Sequence, residues 1–203
     1  MKYKPYLMKD VHAGEALEKF RVISTFAGGG GSSTGYRLAG GKILAINEFV
    51  EEARNTYRDN YPNTPILDGD IKELEGKDFL DITKLKEGEL DLLDGSPPCS
   101  AFSMCGTLAR EGTVHSDGFG KTKSYSDGKI VINIEDLFFE FLRVAEKIRP
   151  KTIIAENVEG LTVGEAKQYF NKIQNTFEDI GYQVVAKVHD CSQYGVPQRR
   201  RRV

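Results

Sequence analysis

Residues 21–33 read Arg-Val-Ile-Ser-Thr-Phe-Ala-Gly-Gly-Gly-Gly-Ser-Ser. Arg21 to Phe26 is a β-rich run, and the four glycines Gly28 to Gly31 follow almost at once. A strand that breaks into glycine lets the backbone turn tightly and come close to a ligand. A helix opening after such a turn aims its first amides at polar or anionic groups. The dinucleotide register G-x-G-x-x-G is not met, because Gly28 and Gly30 lead to Ser33, and Gly29 and Gly31 lead to Thr34. Alone, the stretch reads equally as a plain tight turn.

The same alternation continues outward. Lys42 to Asn47, Leu90 to Asp94, Thr152 to Ala155 and Tyr182 to His189 are further β-rich runs. Between them lie helical patterns. Val50 to Asn60 carries Val50, Ala53, Arg54 and Tyr57 on one side. Ile134, Leu137, Phe138, Phe141, Leu142, Ala145 and Ile148 form one broad apolar face, and Pro150 stops that helix. A last helix is expected from about Glu165 to Ile180, closed by Gly181. Strands alternating with helices predict an α/β fold, a mostly parallel sheet with helices on both faces. Ligands in such folds sit beyond the carboxyl ends of the strands.

Composition narrows the class. Hydrophobic residues make up 39% of 203, which suits an ordinary core. No apolar run approaches the ~18 residues that cross a bilayer, so no membrane association is expected. Met1 to Asp10 lacks the apolar segment of a signal peptide. Cys99, Cys105 and Cys191 have no paired spacing, which argues against disulfides or a metal site and for a reducing cytoplasm. A net charge of −2 carries no chain-wide signal for nucleic acid, so such a partner needs a local patch. Arg199 to Arg202 is one, just before Val203. A solvated basic tail fits that run equally well.

Three more motifs follow the ends of predicted strands, and two others, at Asp70-Ile71 and in the arginine run, lie elsewhere. In Asn47-Glu48-Phe49, an acidic residue about twenty positions after the glycines is placed for ribose hydroxyls, and an aromatic beside it for adenine. Glu48 also reads as a first-turn helix charge. Asp70-Ile71 reads as an adenine contact or a helix cap. In Ser96-Pro97-Pro98-Cys99-Ser100, paired prolines stiffen the chain and hold Cys99 at the sheet edge, where a thiolate can act as nucleophile. In Glu156-Asn157, a strand-end carboxylate is placed to bond a base, or serves as a cap or ion-pair partner. On a strand, Arg200 and Arg202 face one side, and Arg199 and Arg201 the other. Ser100 to Lys129 is a loop of about thirty residues, a length that marks function or disorder.

Taken together, FAGGGGSS, NEF, PPCSAFS, ENV and QRRRR resemble the C5-cytosine DNA methyltransferase family, in its order, from about Val22 to Val203. The resemblance implies a Rossmann-like fold dependent on S-adenosylmethionine (SAM), over a catalytic domain of residues 21–203, with residues 1–20 as an extension. By that resemblance Phe26, Ala27, Gly28, Gly30 and Gly31 hold the methionine part of the cofactor. Glu48 takes the ribose, Phe49 stacks on adenine, Asp70 and Ile71 meet its edge and ring, and Ser96 lies at the cofactor's rim. Cys99 is the nucleophile that adds to carbon 6 of a flipped cytosine, beside Pro98. Glu156 bonds the base at N3, Asn157 orients Pro98-Cys99, Arg202 binds O2 and Arg200 supports the site. Ser103 and the loop after it are the segment that closes on DNA.

The resemblance further implies double-stranded DNA as partner, no metal, a monomer, a cytoplasmic bacterial or phage origin and a cognate restriction endonuclease. The family's later recognition region and two final motifs are not found, so the chain is expected to be incomplete at its C-terminus. Three other readings compete: the same chemistry on tRNA, a non-catalytic scaffold that binds SAM or DNA, and a nicotinamide-dependent oxidoreductase. The broken dinucleotide register argues against the last.

Overall fold

A computed structural model describes residues 5–98, 123–124, 130–131, 136–164 and 166–203. Its frame is a five-stranded, wholly parallel sheet of order β3-β2-β1-β4-β7. The strands are β1 (Phe20–Thr25), β2 (Gly41–Glu48), β3 (Ile66–Asp68), β4 (Leu92–Gly95) and β7 (Thr152–Ala155). Sequence order reverses between β1 and β4, and a crevice opens at such a switch point. Two short antiparallel pairs complete the strands: β5 (Lys123–Ser124) with β6 (Ile130–Val131), and β8 (His189–Asp190) with β9 (Arg201–Arg202).

Alternation along the central strands divides the core between two faces. Val22 and Leu92 join Val11, Ile43, Ile46 and Tyr57 in one cluster. That face is covered by α1 (Met8–Glu15), α2 (Gly31–Leu38) and α3 (Glu51–Asn60). Ile23 and Leu93 point the other way, into a larger cluster with Phe79, Phe141 and Phe177. These rings come from α4 (Gly76–Thr83), α5 (Asp136–Ile148) and α6 (Ala166–Asp179). The apolar face predicted for α5 is buried through Leu137, Phe138, Phe141, Leu142, Ala145 and Ile148. Arg149, in a left-handed conformation at φ 51°, and Pro150 end it.

One expectation changes. Tyr182 to His189 reads as a strand, yet residues 183–188 have no regular structure and strand pairing is confined to His189–Asp190. No neighbour pairs with 183–188 among the described residues, so alternation alone does not hold the run extended, and Val185 is 91% exposed. The stretch expected as an N-terminal extension contributes α1 to the fold. α1 buries Val11 and Gly14 against α2. No helix among the described residues is long and apolar enough to cross a membrane.

The amino ends of three parallel strands are tied at Asp91. Its carboxylate accepts from Arg21 N–H at 2.8 Å and Nε at 3.2 Å, and from Lys151 Nζ at 2.7 Å. Burial pushes this carboxyl up, but the bonds from Lys151 and Arg21 outweigh it and hold the pKa at about 2, against an ordinary 3.8. A depressed folded-state pKa contributes stability that is fully present above the unfolded value and is lost as pH falls through the folded one. The slope of unfolding free energy against pH between 3.8 and about 2 is therefore expected to be shallower in Asp91→Asn than in the wild type, measured by urea unfolding at stepped pH. An unchanged slope would show that the cluster contributes nothing to acid sensitivity.

Candidate active site

Every strand of the sheet delivers its predicted motif at the carboxyl end. After β1 the chain turns at Phe26, whose φ of 52° is rare for an aromatic residue, and at Gly28, with φ 56°. A Cβ on Gly28 would meet no atom within 4 Å, because this face of the turn is open. The Gly28 N–H donates to Glu48 Oε2 at 2.7 Å, and Val50 N–H donates to Oε1 at 2.8 Å. Glu48, which ends β2, is thus buried but satisfied by backbone. Asn47 beside it donates to the carbonyls of Leu67 and Gly69 at 3.0 and 3.1 Å. That tether fixes the exit of β3, where Asp70 Oδ1 accepts from Lys72 N–H at 3.0 Å and turns the chain.

These segments enclose a cavity of about 270 Å³. Phe26, Phe49, Ile71 and Leu137 give it apolar walls, and Gly28, Glu48 and Asp70 give it polar ones. Ser96 and Pro98 close the side toward β4. Ser96 Oγ donates to Phe26 O at 3.3 Å, so the proline segment is latched to the turn after β1. The sequence reading places Ala27, Gly30 and Gly31 at the cofactor as well, but none of the three lines the cavity. Ala27 is packed in the core cluster with Val22 and Tyr57. Gly30 is the N-cap of α2 and faces Tyr57 and Tyr61, and Gly31 opens that helix.

The second group gathers around β7. Asn157 is buried and donates to Pro97 O at 3.2 Å, bridging the ends of β7 and β4. Its backbone pairs with Val203 in both directions, at 2.8 and 3.0 Å. This brings the arginine run beside Glu156. Arg202 Nε lies 2.8 Å from Glu156 Oε1, and Arg200 Nη2 lies 3.8 Å from the same oxygen. Arg201 turns away to Glu159 at 2.7 Å. Arg200 and Arg202 thus face one side and Arg201 the other. Cys99, Ser103, Cys105 and most of the loop after Ser100 lie outside the described residues. Cys191 is partly buried and unbridged.

A second cleft, about 940 Å³, runs along the outer edge of β7 past Ile154, Phe170, Phe177 and Val184, and Glu156, Asn157 and Arg202 line it as well. It is the larger of the two, but its floor is the edge of β7, which pairs with no further strand among the described residues. The smaller one carries the convergent carboxylates and backbone donors that a bound polar molecule needs.

Two contributors escape a sequence reading. Arg54 is buried and donates to the carbonyls of Glu48 and Phe49 at 3.1 and 2.6 Å, fixing both cavity residues. An arginine on the inner face of the α3 pattern was the available signal. Asp94 is buried and accepts from Ser24 Oγ at 2.7 Å, Ser32 Oγ at 3.0 Å and Tyr36 OH at 2.9 Å. Burial pushes its carboxyl up, against the bonds from Ser24, Tyr36 and Ser32. No signal in the β4 run marks it, because an aspartate ending a strand ordinarily faces water.

The donor set fits SAM. Flat apolar walls suit an adenine ring, two carboxylates suit hydroxyl and amino groups, and the open face of Gly28 leaves room for close approach. Among the described residues, no cluster of His, Cys, Asp and Glu could hold a metal ion.

A parallel sheet of this order, with a cavity at its switch point, is a Rossmann-like α/β fold. The chain belongs to the C-5 cytosine-specific DNA methylase family, whose model matches residues 20–203. It is 34% identical over 185 residues to the Type II methyltransferase M.Eco47II of Escherichia coli, covering 91% of this chain and 38% of that one. To M.NgoPII of Neisseria gonorrhoeae it is 30% identical over 183 residues, covering 90% and 46%. To M.AquIA of a Picosynechococcus strain it is 31% identical over 195 residues, covering 92% and 71%. The chain thus spans less than half of the first two relatives and most of the third. Among solved structures, a protein described as a DNA modification methyltransferase from an E. coli prophage superposes with a TM-score of 0.69 at 24% identity, over 91% of this chain and 45% of its own. The DNMT2 mutant of Spodoptera frugiperda gives 0.62 at 20% identity, over 91% and 48%. Both likenesses concern the fold.

Asn157 is buried and bonded on both sides, whereas Glu156 is 40% exposed in its side chain. Asn157→Ala is expected to cost about 1–3 kcal/mol through a lost buried bond. Glu156→Gln should stay within about 1 kcal/mol, as for exposed ion pairs. Urea midpoints of the two variants check the contrast, and equal losses would contradict it.

Proposed function

We propose that the protein is a DNA cytosine-5 methyltransferase, which moves a methyl group from SAM to carbon 5 of a cytosine flipped out of duplex DNA. The observation that carries this reading is the shared cavity. Phe26, Glu48, Phe49, Asp70 and Ile71 converge on it, and Pro98, bonded to Cys99, is part of the same wall.

Phe26 and the Gly28 turn hold the methionine portion, Glu48 the ribose, and Phe49, Asp70 and Ile71 the adenine. SAM bound there would supply the methyl group to carbon 5 and be left as S-adenosylhomocysteine. Cys99 is the nucleophile. Carbon 5 of cytosine is a poor nucleophile while the ring is aromatic, so the thiolate first adds to carbon 6 and forms a carbon–sulfur bond. Glu156 bonds N3 and the exocyclic amine and stabilises the charge that develops there. Arg202 bonds O2, and Arg200 supports the carboxylate. Asn157 acts through Pro97, holding the proline segment that carries Cys99. Once carbon 5 is methylated, its proton leaves to a base, the carbon–sulfur bond breaks, and the thiolate is restored.

Because the target carbon is sealed within a duplex, the base must leave the stack. Arg199 and Arg201 would meet backbone phosphates, Arg201 by exchanging its ion pair with Glu159. The Type II names of the relatives support a modification enzyme paired with a restriction endonuclease of the same target.

The test incubates the protein with SAM and duplex DNA carrying 5-fluorocytosine, whose fluorine cannot leave as a proton does. A protein–DNA adduct that survives denaturation is expected, lost in Cys99→Ala. Glu156→Gln should form it roughly 100-fold more slowly, as for loss of one group that stabilises developing charge. Adduct on fluorocytosine-bearing tRNA and none on DNA would transfer the reading to RNA. No adduct on either would end it.

A further inference from the structure

The family match begins at residue 20, yet α1, over Met8–Glu15, is built into the fold against α2, the helix that the glycine turn opens. A Cβ on Gly14 would lie 2.2 Å from the carbonyl oxygen of Arg37, so α1 sits directly on the last turn of α2. Arg37 is charged and 0% exposed. Its Nε lies 3.0 Å from Glu15 Oε1, a charge contact without hydrogen-bond geometry. Its Nη1 donates to Tyr57 OH at 3.3 Å and its Nη2 to Thr64 Oγ1 at 2.7 Å. Its Cζ stands 3.8 Å from the ring centroid of Tyr61.

Those two rings back the glycine turn. A Cβ on Gly30 would come within 3.0 Å of Tyr61 and 3.1 Å of Tyr57. Thr34 Oγ1 donates to Gly30 O at 2.8 Å and is itself bonded to the Tyr61 hydroxyl. Two residues earlier, the Gly28 N–H meets Glu48 at the cavity. A continuous set of contacts thus runs from Glu15 through Arg37 and the tyrosines to the turn.

We propose that Glu15 and Arg37 are positioning residues for the methyl-donor site. α1 neutralises the buried guanidinium that presses Tyr57 and Tyr61 against the back of the turn, and so sets where Gly28 meets Glu48. This rests on reading the cavity as the SAM site. A buried cation that loses its partner charge is costly and rearranges its surroundings. Rearrangement here moves the wall behind Gly30.

The test measures SAM affinity by titration calorimetry, well below each variant's melting temperature. E15Q removes the charge, and E15D retains it. Y61F removes only the hydroxyl that reaches Thr34, so it keeps the test open if E15Q does not fold. Phe177→Ala weakens the core around α6 without touching α1, α2 or α3. Affinity is expected to fall about 5- to 10-fold in E15Q and Y61F, and to stay within about twofold in E15D and Phe177→Ala. Wild-type affinity in Y61F and in any folded E15Q overturns the proposal, whatever happens to melting temperature. An equal loss in Phe177→Ala also overturns it, because general loosening would then explain the effect. If the wild-type protein itself binds no SAM, the reading of the cavity fails and this proposal falls with it. A tight wild type beside tight variants removes the positioning role alone.

Discussion

A carboxylate sealed in a protein interior must be met by donors, and Asp94 is sealed at the point where both halves of the site begin. Its three partners are hydroxyls. Ser24 comes from β1, and Ser32 and Tyr36 come from α2, the helix opened by the glycine turn. Burial raises the Tyr36 hydroxyl above its ordinary range, and the charge of Asp94 and the bond to it add to the effect, which keeps that group a donor. Asp94 therefore fixes α2 against the end of β4. The next residue, Gly95, has no room for a side chain, since a Cβ would come within 2.5 Å of Phe141. The chain leaving β4 has one path, over Phe26 and into Pro97-Pro98. The glycine turn and the proline segment are thus set relative to each other by one buried group and one missing Cβ.

The two aspartates of the β4 region behave oppositely for a structural reason. Asp91, at the amino edge, has cations as partners and its carboxyl is held low. Asp94, at the carboxyl edge, has neutral hydroxyls and its carboxyl is raised. Cations at the amino edge stitch strands together. At the carboxyl edge, hydroxyls satisfy the buried oxygen without adding charge, and the arginines there are left to Glu156 and Glu159.

Motifs at strand ends were legible because strand, turn and helix leave local marks. Phe26-Ala27-Gly28, Asn47-Glu48-Phe49 and Ser96-Pro97-Pro98 each announce themselves within a few residues. The α5 face was legible for the same reason, as a period of 3.6 carried over a long run. What stayed hidden depends on pairing across the chain. Tyr182 to His189 alternates as a strand should, but a strand exists only where a neighbour takes its hydrogen bonds, and that neighbour cannot be read locally. β3 is three residues long, too short for a pattern. Arg37 reads as a solvated helix residue until Glu15, twenty-two positions earlier, is placed against it. Gly30 belongs to the glycine run, but only the packed tyrosines reveal that it faces the protein and not the cavity.

The two halves of the site differ in how firmly they are built, and the difference suits what each is asked to do. Around the cavity, Asn47, Glu48 and Arg54 are buried and bonded to backbone, so its shape exists before anything binds. Preformed geometry spares a ligand the cost of ordering its own site. Glu156, Arg200 and Arg202 are 40%, 49% and 25% exposed in their side chains, and they pair with one another. An ion pair in that setting is worth about 0–1 kcal/mol, so its members exchange partners at little cost. On the proposed function, a base that enters from a DNA stack would displace those contacts as it arrives and return them as it leaves. Burying the same charges would fix the pair too firmly to be displaced. Only Asn157, which holds the Pro97 carbonyl and contacts no partner that has to be exchanged, is locked.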